Sequence, residues 1–280
     1  MKRKQALEKA CFLLREQAKE ESLARFLLMY LLDEDVRKFN NNINLELEKK
    51  LEEKYFNLIN EHILTNKPLS HLVGFDYFFD RKFIVNKFVL SPRMETEELV
   101  YTVINYIRKN ENNNIKILDL CTGSGIIGIS LAKEIPSLLV TASDISCDAL
   151  SVAKENAKNL KAHIDFIQSD IFENIEDKFD IIVSNPPYIS YSEKDSIENN
   201  VINYDPHIAL FADEDGLYFY RKILEQAENY LTKEGLIFFE IGFNQKNKII
   251  DLAKKNNFDA EILKDLNGRA RIAIVIRIKK

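Results

Sequence analysis

Asn185-Pro186-Pro187-Tyr188 is the segment of this chain with the clearest capacity for chemistry. It follows Asp180 and the apolar run Ile181-Ile182-Val183, so it falls at the C-terminal end of what reads as a buried strand. Loops at that edge of an α/β sheet are where ligands bind. Two consecutive prolines remove two backbone donors and hold φ near about −65°, which leaves carbonyl oxygens and the Asn185 side chain with few internal partners. The Asn185 side-chain oxygen and the Pro186 carbonyl can each accept one N–H of a planar NH2 group, while the Tyr188 ring covers its flat face. Such a set suits modification of an amide or amino nitrogen. Asn-Pro is also a common turn former and Pro-Pro a common stiff loop, so a second signal is needed.

That signal lies upstream. Residues 115–120 form an apolar run with Asp119 near its end, followed by Cys121-Thr122-Gly123-Ser124-Gly125-Ile126-Ile127-Gly128 and the helix-like residues 129–132. Gly123, Gly125 and Gly128 match G-x-G-x-x-G, and Asp144 comes 19 residues after Gly125, at the end of a second strand over 138–143. A carboxylate there can bind a ribose diol. Dinucleotide enzymes, methyl-donor enzymes and purely structural turns share the glycine pattern. A dinucleotide site holds a pyrophosphate on the third glycine and the helix N-terminus. Asp119 opposes such an anion and favours a cationic ligand, and S-adenosylmethionine is one, with a sulfonium, an ammonium and no phosphate. The bland alternative for Asp119 is a cap or turn residue.

Asp119-x-x-Thr122-Gly123-Ser124-Gly125, Asp144, Ser169-Asp170-Ile171-Phe172 and Ser184-Asn185-Pro186-Pro187-Tyr188 resemble the successive motifs of class I S-adenosylmethionine-dependent methyltransferases that act on planar nitrogen. More narrowly, the chain resembles the peptide-chain release factor glutamine methyltransferases, the HemK family. Further matches are Ser91-Pro92-Arg93-Met94-Glu95-Thr96-Glu97, Asp205-Pro206-x-x-Ala209-Leu210, Asp215-Gly216-Leu217 with Tyr220-Arg221, Glu240-Ile241-Gly242 with Gln245, and Asp265-Leu266-x-Gly268 with Arg271.

The resemblance implies methyl transfer from S-adenosylmethionine to the side-chain amide N5 of the glutamine in a release factor's Gly-Gly-Gln segment, with S-adenosylhomocysteine as product. It implies that Asp119, Cys121, Thr122, Gly123, Ser124 and Gly125 line the methionine portion, that Asp144 binds the ribose hydroxyls, and that Asp170 accepts from the adenine amino group. Either Ile171 or Phe172 packs on the purine. Asn185, Pro186, Pro187 and Tyr188 hold the substrate amide in line for direct displacement, and Asn185 also borders the cofactor. Ile171 stands where family members often have tryptophan, and Met94 where proline is common. Arg93, Thr96 and Glu97 line the entrance or cap a helix starting near Glu95. Glu240 is either a polar neighbour of the reaction or a structural strand-end carboxylate.

These residues need elements to position them. Strands over 115–120, 138–143, 164–168, 180–184, 236–241, 260–263 and 271–278 alternate with helical stretches, which argues a largely parallel sheet covered on both faces. The fold class expected is α/β; the family implies a Rossmann-like sheet of seven strands with the last antiparallel. Residues 1–66 contain no glycine or proline and place Leu7, Ala10, Cys11 and Leu14, then Leu23, Phe26, Leu27, Tyr30 and Leu31, at helical spacing. A small helical bundle is expected there, broken at Asn40-Asn41-Asn42, resumed over 43–65 and stopped by Asn66-Lys67-Pro68. It either packs on the catalytic domain or, as the family implies, recognises the protein substrate. Residues 67–92 read as a β-hairpin linker around Asp80-Arg81-Lys82, and 93–280 as the methyltransferase domain.

Composition narrows the alternatives. The chain has 280 residues, 46% hydrophobic and 30% charged, enough to bury one or two cores. Cys11, Cys121 and Cys147 show no C-x-x-C pairing, and His62, His71, His163 and His207 lack metal-ligand spacing, so reduced thiols and no metal are expected. No stretch has the run of about 20 apolar residues that crosses a membrane, and the N-terminus lacks a signal-peptide pattern. A cytoplasmic monomer is expected. A nucleic-acid methyltransferase acting on an exocyclic amine of adenine or another base could use the same tetrapeptide on a flipped base. Its weakness is the net charge of −5, since phosphate binding needs a basic face. A cofactor-binding module without catalysis is disfavoured by the intact Asn185 and Tyr188.

Overall fold

Apolar side chains at helical spacing, with no breaker before Pro68, make the first part of the chain helical. The computed structural model describes residues 1–110 and 114–278, and its first helices are Arg3–Glu16, Ser22–Leu32, Val36–Asn41, Lys49–Thr65 and Leu69–Val73. Leu14, Leu27, Phe39, Tyr55 and Ile59 are fully buried between them. Asp35 caps the third helix through Lys38 N at 2.7 Å, and the Tyr55 hydroxyl donates to Ala24 O at 2.9 Å. Left-handed Asn66 and Gly74 end the last two helices, as expected where a helix must stop without strain.

The helix expected over 43–65 begins only at Lys49. The carbonyls of Ile43 and Leu45 are taken by the N–H groups of Lys4 and Arg3, and Leu47 N donates to Met1 O. This stretch, a turn followed by an irregular segment, satisfies the donors that open the first helix. The compact unit to which these helices belong comprises Met1–Phe75 together with Glu198–Tyr204. It runs past the expected boundary at 66 and includes a segment that no local signal assigns to it. Within this unit Tyr204 OH donates to Thr65 O at 3.0 Å.

The hairpin strands Phe75–Phe78 and Arg81–Ile84 pair as a two-stranded sheet. Their turn is Phe79-Asp80 rather than the expected Asp80-Arg81-Lys82. Both turn residues have positive φ, 50° and 56°, the backbone sense that matches the right-handed twist of paired strands. Arg81 and Lys82 consequently enter the second strand.

The second unit, Asp76–Ile197 with the chain from Asp205 on, is built on a seven-stranded sheet. Its strands are β1 Lys116–Leu120, β2 Leu139–Asp144, β3 Asp165–Gln168, β4 Phe179–Ser184, β5 Leu231–Glu240, β6 Phe258–Lys264 and β7 Ala270–Arg277. They lie in the order β6-β7-β5-β4-β1-β2-β3. Six strands point the same way, whereas β7 runs antiparallel to its neighbours β5 and β6. Residues 279 and 280, included in the expected 93–280 domain, lie outside the described residues.

Strand periodicity divides the core into two layers. Ile117, Ile181, Val183 and Phe238 face a cluster containing Leu99 and Val103 of the helix Met94–Asn110 and Ile129 of the helix Ile126–Glu134. Their neighbours Leu118, Ile182, Ile237 and Phe239 face Ile223 and Leu224 of the helix Tyr218–Tyr230 and Ile249 of the helix Lys246–Lys255. Both faces are covered, which is why β1 and β4 read as continuous apolar runs. From β1 the chain proceeds outward to β2 and β3, then returns to the other side for β4. The order therefore reverses between β1 and β4, and a crevice at their carboxyl ends is the expected ligand site. Leu120 and Ser184 are register partners there, and Ser184 Oγ donates to Leu120 O at 2.7 Å.

Candidate active site

Beyond β1 the backbone turns sharply. Cys121 is left-handed at φ 60°, and Gly125, at φ 83°, takes a backbone conformation that side chains with a Cβ rarely adopt, with Ile129 Cδ1 and Ala153 Cβ close to where one would lie. Asp119 holds this turn from beneath: its Oδ2 accepts Thr122 Oγ1 at 2.6 Å and Gly128 N at 2.8 Å. The residue is completely buried, and that burial pushes its pKa up to about 7 against the two hydrogen bonds. Its Oδ1 has no hydrogen-bond partner among the described residues. From β2, Asp144 Oδ2 accepts Gly123 N at 2.8 Å and Oδ1 accepts Ser146 N at 2.9 Å. Burial raises the Asp144 pKa as well, opposed by these backbone donors.

The glycine turn, Asp144 and the tetrapeptide border one cavity of about 140 Å3, open to solvent and lined in part by Cys121, Gly123, Asp144, Asp170, Ile171 and Asn185. Thr122, Ser124 and Pro187 line it too. Three expected residues are placed otherwise. Asp119 sits under the turn rather than on the cavity wall. Left-handed Ile171, at φ 52°, lines the cavity while also packing in the buried apolar cluster that holds Phe172, which is only 1% exposed and stacks on Tyr230 at a 4.3 Å centroid separation. Of the alternatives Ile171 and Phe172, only the first reaches the cavity. Gly125 is covered by Ile129 and Ala153.

At the end of β4, Asn185 Nδ2 donates to Thr96 Oγ1 at 3.3 Å, and Thr96 Oγ1 donates to Glu240 Oε2 at 2.7 Å. Tyr188 OH donates to Glu240 Oε1 at 3.3 Å. Among the described residues, neither Asn185 Oδ1 nor the Pro186 carbonyl accepts a hydrogen bond. Glu240, 2% exposed, ends β5, and burial raises its pKa against the opposing effects of Thr96, Arg271 and Tyr188. Burial beside Glu240 drives the Tyr188 phenol far above its ordinary value, so it stays protonated and donates. Thr96 is 1% exposed and lies in the first turn of the helix Met94–Asn110, which begins at Met94 without the family's proline. Thr96 thus touches the site directly, while Arg93 pairs with Asp205 at 2.8 Å and Glu97 accepts the Phe79 N–H at 2.8 Å.

The outer motifs brace this loop. Gln245 Nε2 donates to Tyr188 O at 3.0 Å, and its Oε1 accepts Gly242 N at 2.9 Å. A Cβ at Gly216, φ 78°, would collide with the Tyr188 carbonyl. Tyr220 OH donates to Glu240 O at 2.7 Å, and Asp205 Oδ1 accepts both Ser91 N at 3.2 Å and Ser91 Oγ at 3.1 Å. Among the described residues no cluster of three or more His, Cys, Asp or Glu could hold a metal, and no helix is long and apolar enough to cross a membrane.

Residues 102–209 match the family described as "Methyltransferase small domain". A release factor glutamine methyltransferase of Lactococcus lactis subsp. lactis is 43% identical over 237 residues, covering 83% of this chain and 87% of the relative. Another from Streptococcus pneumoniae is 39% identical over 265 residues, 94% of each. The solved ribosomal protein L11 methylase of Lactobacillus delbrueckii subsp. bulgaricus shares the fold, with a TM-score of 0.50 at 22% identity over 68% of this chain and 82% of that one.

Proposed function

This chain belongs to the release factor glutamine methyltransferase family, and from that premise we propose that it methylates the side-chain amide nitrogen, N5, of the glutamine in a release factor's Gly-Gly-Gln segment. The observation that carries the reading is the pair of unfilled acceptors, Asn185 Oδ1 and Pro186 O, in a segment whose Asn185 and Pro187 line the same cavity as the glycine turn and Asp144. An amide NH2 offers two donors to such a pair. An amide nitrogen is a poor nucleophile because its lone pair is delocalised into the carbonyl. Positioning is therefore the main contribution available, worth up to about 7 to 11 kcal/mol in ideal cases. Accepting both N–H bonds draws electron density toward the nitrogen as it becomes more acidic, and Tyr188, held by Glu240, keeps the amide plane. The proton released after alkylation passes to solvent.

The methyl donor we propose is S-adenosylmethionine, and the residues present fit it. Asp119, beneath the turn, holds Thr122 and Gly128 and so shapes the loop that faces the donor. The Asp144 oxygens, each with one backbone donor, retain lone pairs for ribose hydroxyls. Ile171 supplies an apolar contact and Asp170 an acceptor for an aminopurine. Bound there, the donor supplies an electrophilic methyl carbon on a sulfonium that departs as a neutral thioether. The helical unit is proposed to capture the release factor, and the enzyme to act as a cytoplasmic monomer.

The test uses purified protein, labelled S-adenosylmethionine and, in separate reactions, a release factor, ribosomal RNA and duplex DNA. Label is expected in the release factor alone, at its Gly-Gly-Gln glutamine. Label confined to nucleic acid overturns the reading.

A further inference from the structure

An asparagine amide can occupy one volume in two senses, with oxygen and nitrogen exchanged. Only one sense serves a substrate NH2; the other sets donor against donor. Nothing in the Asn185 side chain itself chooses. Building on the proposed amide-methylating reading, we infer that Glu240 and Thr96 are positioning residues that fix the sense of the Asn185 amide, so that its oxygen faces the substrate nitrogen.

The argument is an accounting of protons along a buried chain. Both oxygens of Glu240 act as acceptors, one from Thr96 and one from Tyr188. Glu240 Oε2 therefore receives the single hydroxyl proton of Thr96, at 2.7 Å. Once that proton is committed, Thr96 Oγ1 can only accept from Asn185, whose nearer amide atom at 3.3 Å must then be the nitrogen. Oδ1 is left on the other side, with no partner among the described residues. The second carboxylate oxygen is occupied by the Tyr188 hydroxyl at 3.3 Å, so one buried carboxylate sets the proton direction at both side chains proposed to hold the substrate amide. Thr96 and Glu240, at 1% and 2% exposure, are shielded from water that could otherwise reverse the chain. Serine preserves the arrangement, having the same single hydroxyl proton; valine, of similar shape, removes it.

Aspartate at position 185 has two equivalent oxygens and therefore no sense for Thr96 to choose. In steady-state assays with a release factor and labelled S-adenosylmethionine, Thr96→Val is expected to lower kcat at least tenfold with cofactor Kd within twofold. Thr96→Ser is expected to stay within about threefold of the parent in kcat. In an Asn185→Asp background, adding Thr96→Val is expected to change kcat less than threefold. Retained kcat in Thr96→Val, a Thr96→Ser loss as large as the valine loss, or equal valine losses in both backgrounds overturns the inference. If Asn185→Asp is inactive, the valine and serine contrast decides. Absence of any methylation of the release factor by the unsubstituted enzyme would instead refute the functional reading on which the inference rests.

Discussion

Asp119 and Glu240 are both buried carboxylates at carboxyl ends of sheet strands, and both are pushed toward protonation by burial. They organise different things. Asp119 gathers partners three and nine residues along the chain and fixes a backbone turn. Glu240 gathers hydroxyls from residues 144 and 52 positions away and fixes side chains. A carboxylate bonded to near sequence neighbours leaves a motif that can be read in one segment. One bonded across the fold leaves separate residues whose connection emerges only once helix, loop and strand are brought together.

The comparison breaks most directly at Asn185. Asn185→Ala is expected to abolish transfer while cofactor affinity stays within about tenfold, or 1.4 kcal/mol. Calorimetric binding with single-turnover assays checks this, and a parallel collapse of cofactor binding would mean that the two halves are not separable. Next in size, Asp119→Ala removes the support of the glycine turn. Cofactor Kd is expected to rise about tenfold to a hundredfold, roughly 1.4 to 2.8 kcal/mol, with kcat at saturating cofactor changed less than Kd. A kcat effect larger than the Kd effect would place Asp119 in the chemistry and erase the distinction.

A pH series sharpens the Asp119 side. Its folded pKa of about 7 exceeds the ordinary 3.8, so between those values the folded chain binds more protons than the unfolded one. Stability is then greatest below about pH 4 and falls as pH rises toward 7, by at most about 1.4 kcal/mol per unit from this group. Groups facing it are Thr122, the Gly128 N–H and Asp144. Denaturant titrations of the wild type minus those of Asp119→Asn are expected to show that decline, and a flat difference from pH 4 to 7 would contradict it. The smallest effect concerns Phe172. Phe172→Leu is expected to lower stability by about 1 kcal/mol or more yet leave cofactor Kd within twofold, because the ring stacks on Tyr230; a large Kd change would return it to the cavity.

Much of the fold was legible because each buried strand announces itself as an apolar run and each helix by its spacing. The seven strands appear at or within a few residues of their expected places. The glycine turn, Asp144 and the tetrapeptide were legible for the same local reason, and the structure gathers them around one cavity. The turn at Phe79-Asp80 was not, since left-handed backbone at a phenylalanine has no marker in composition. Nor was the placing of Ile171 rather than Phe172 on the cavity wall. Thr96 stood among plausible entrance or capping residues, and only the distance to Glu240 singles it out.

The segment Glu198–Tyr204 belongs to the helical unit although it is encoded downstream of β4. Residues 1–75 are synthesised before that segment, yet the unit they form lacks its last piece until the chain has extended past Tyr204. By then β1, β2, β3 and β4 already exist. Vectorial synthesis therefore cannot finish this molecule one unit after the other: the first to begin is completed in the middle of making the second.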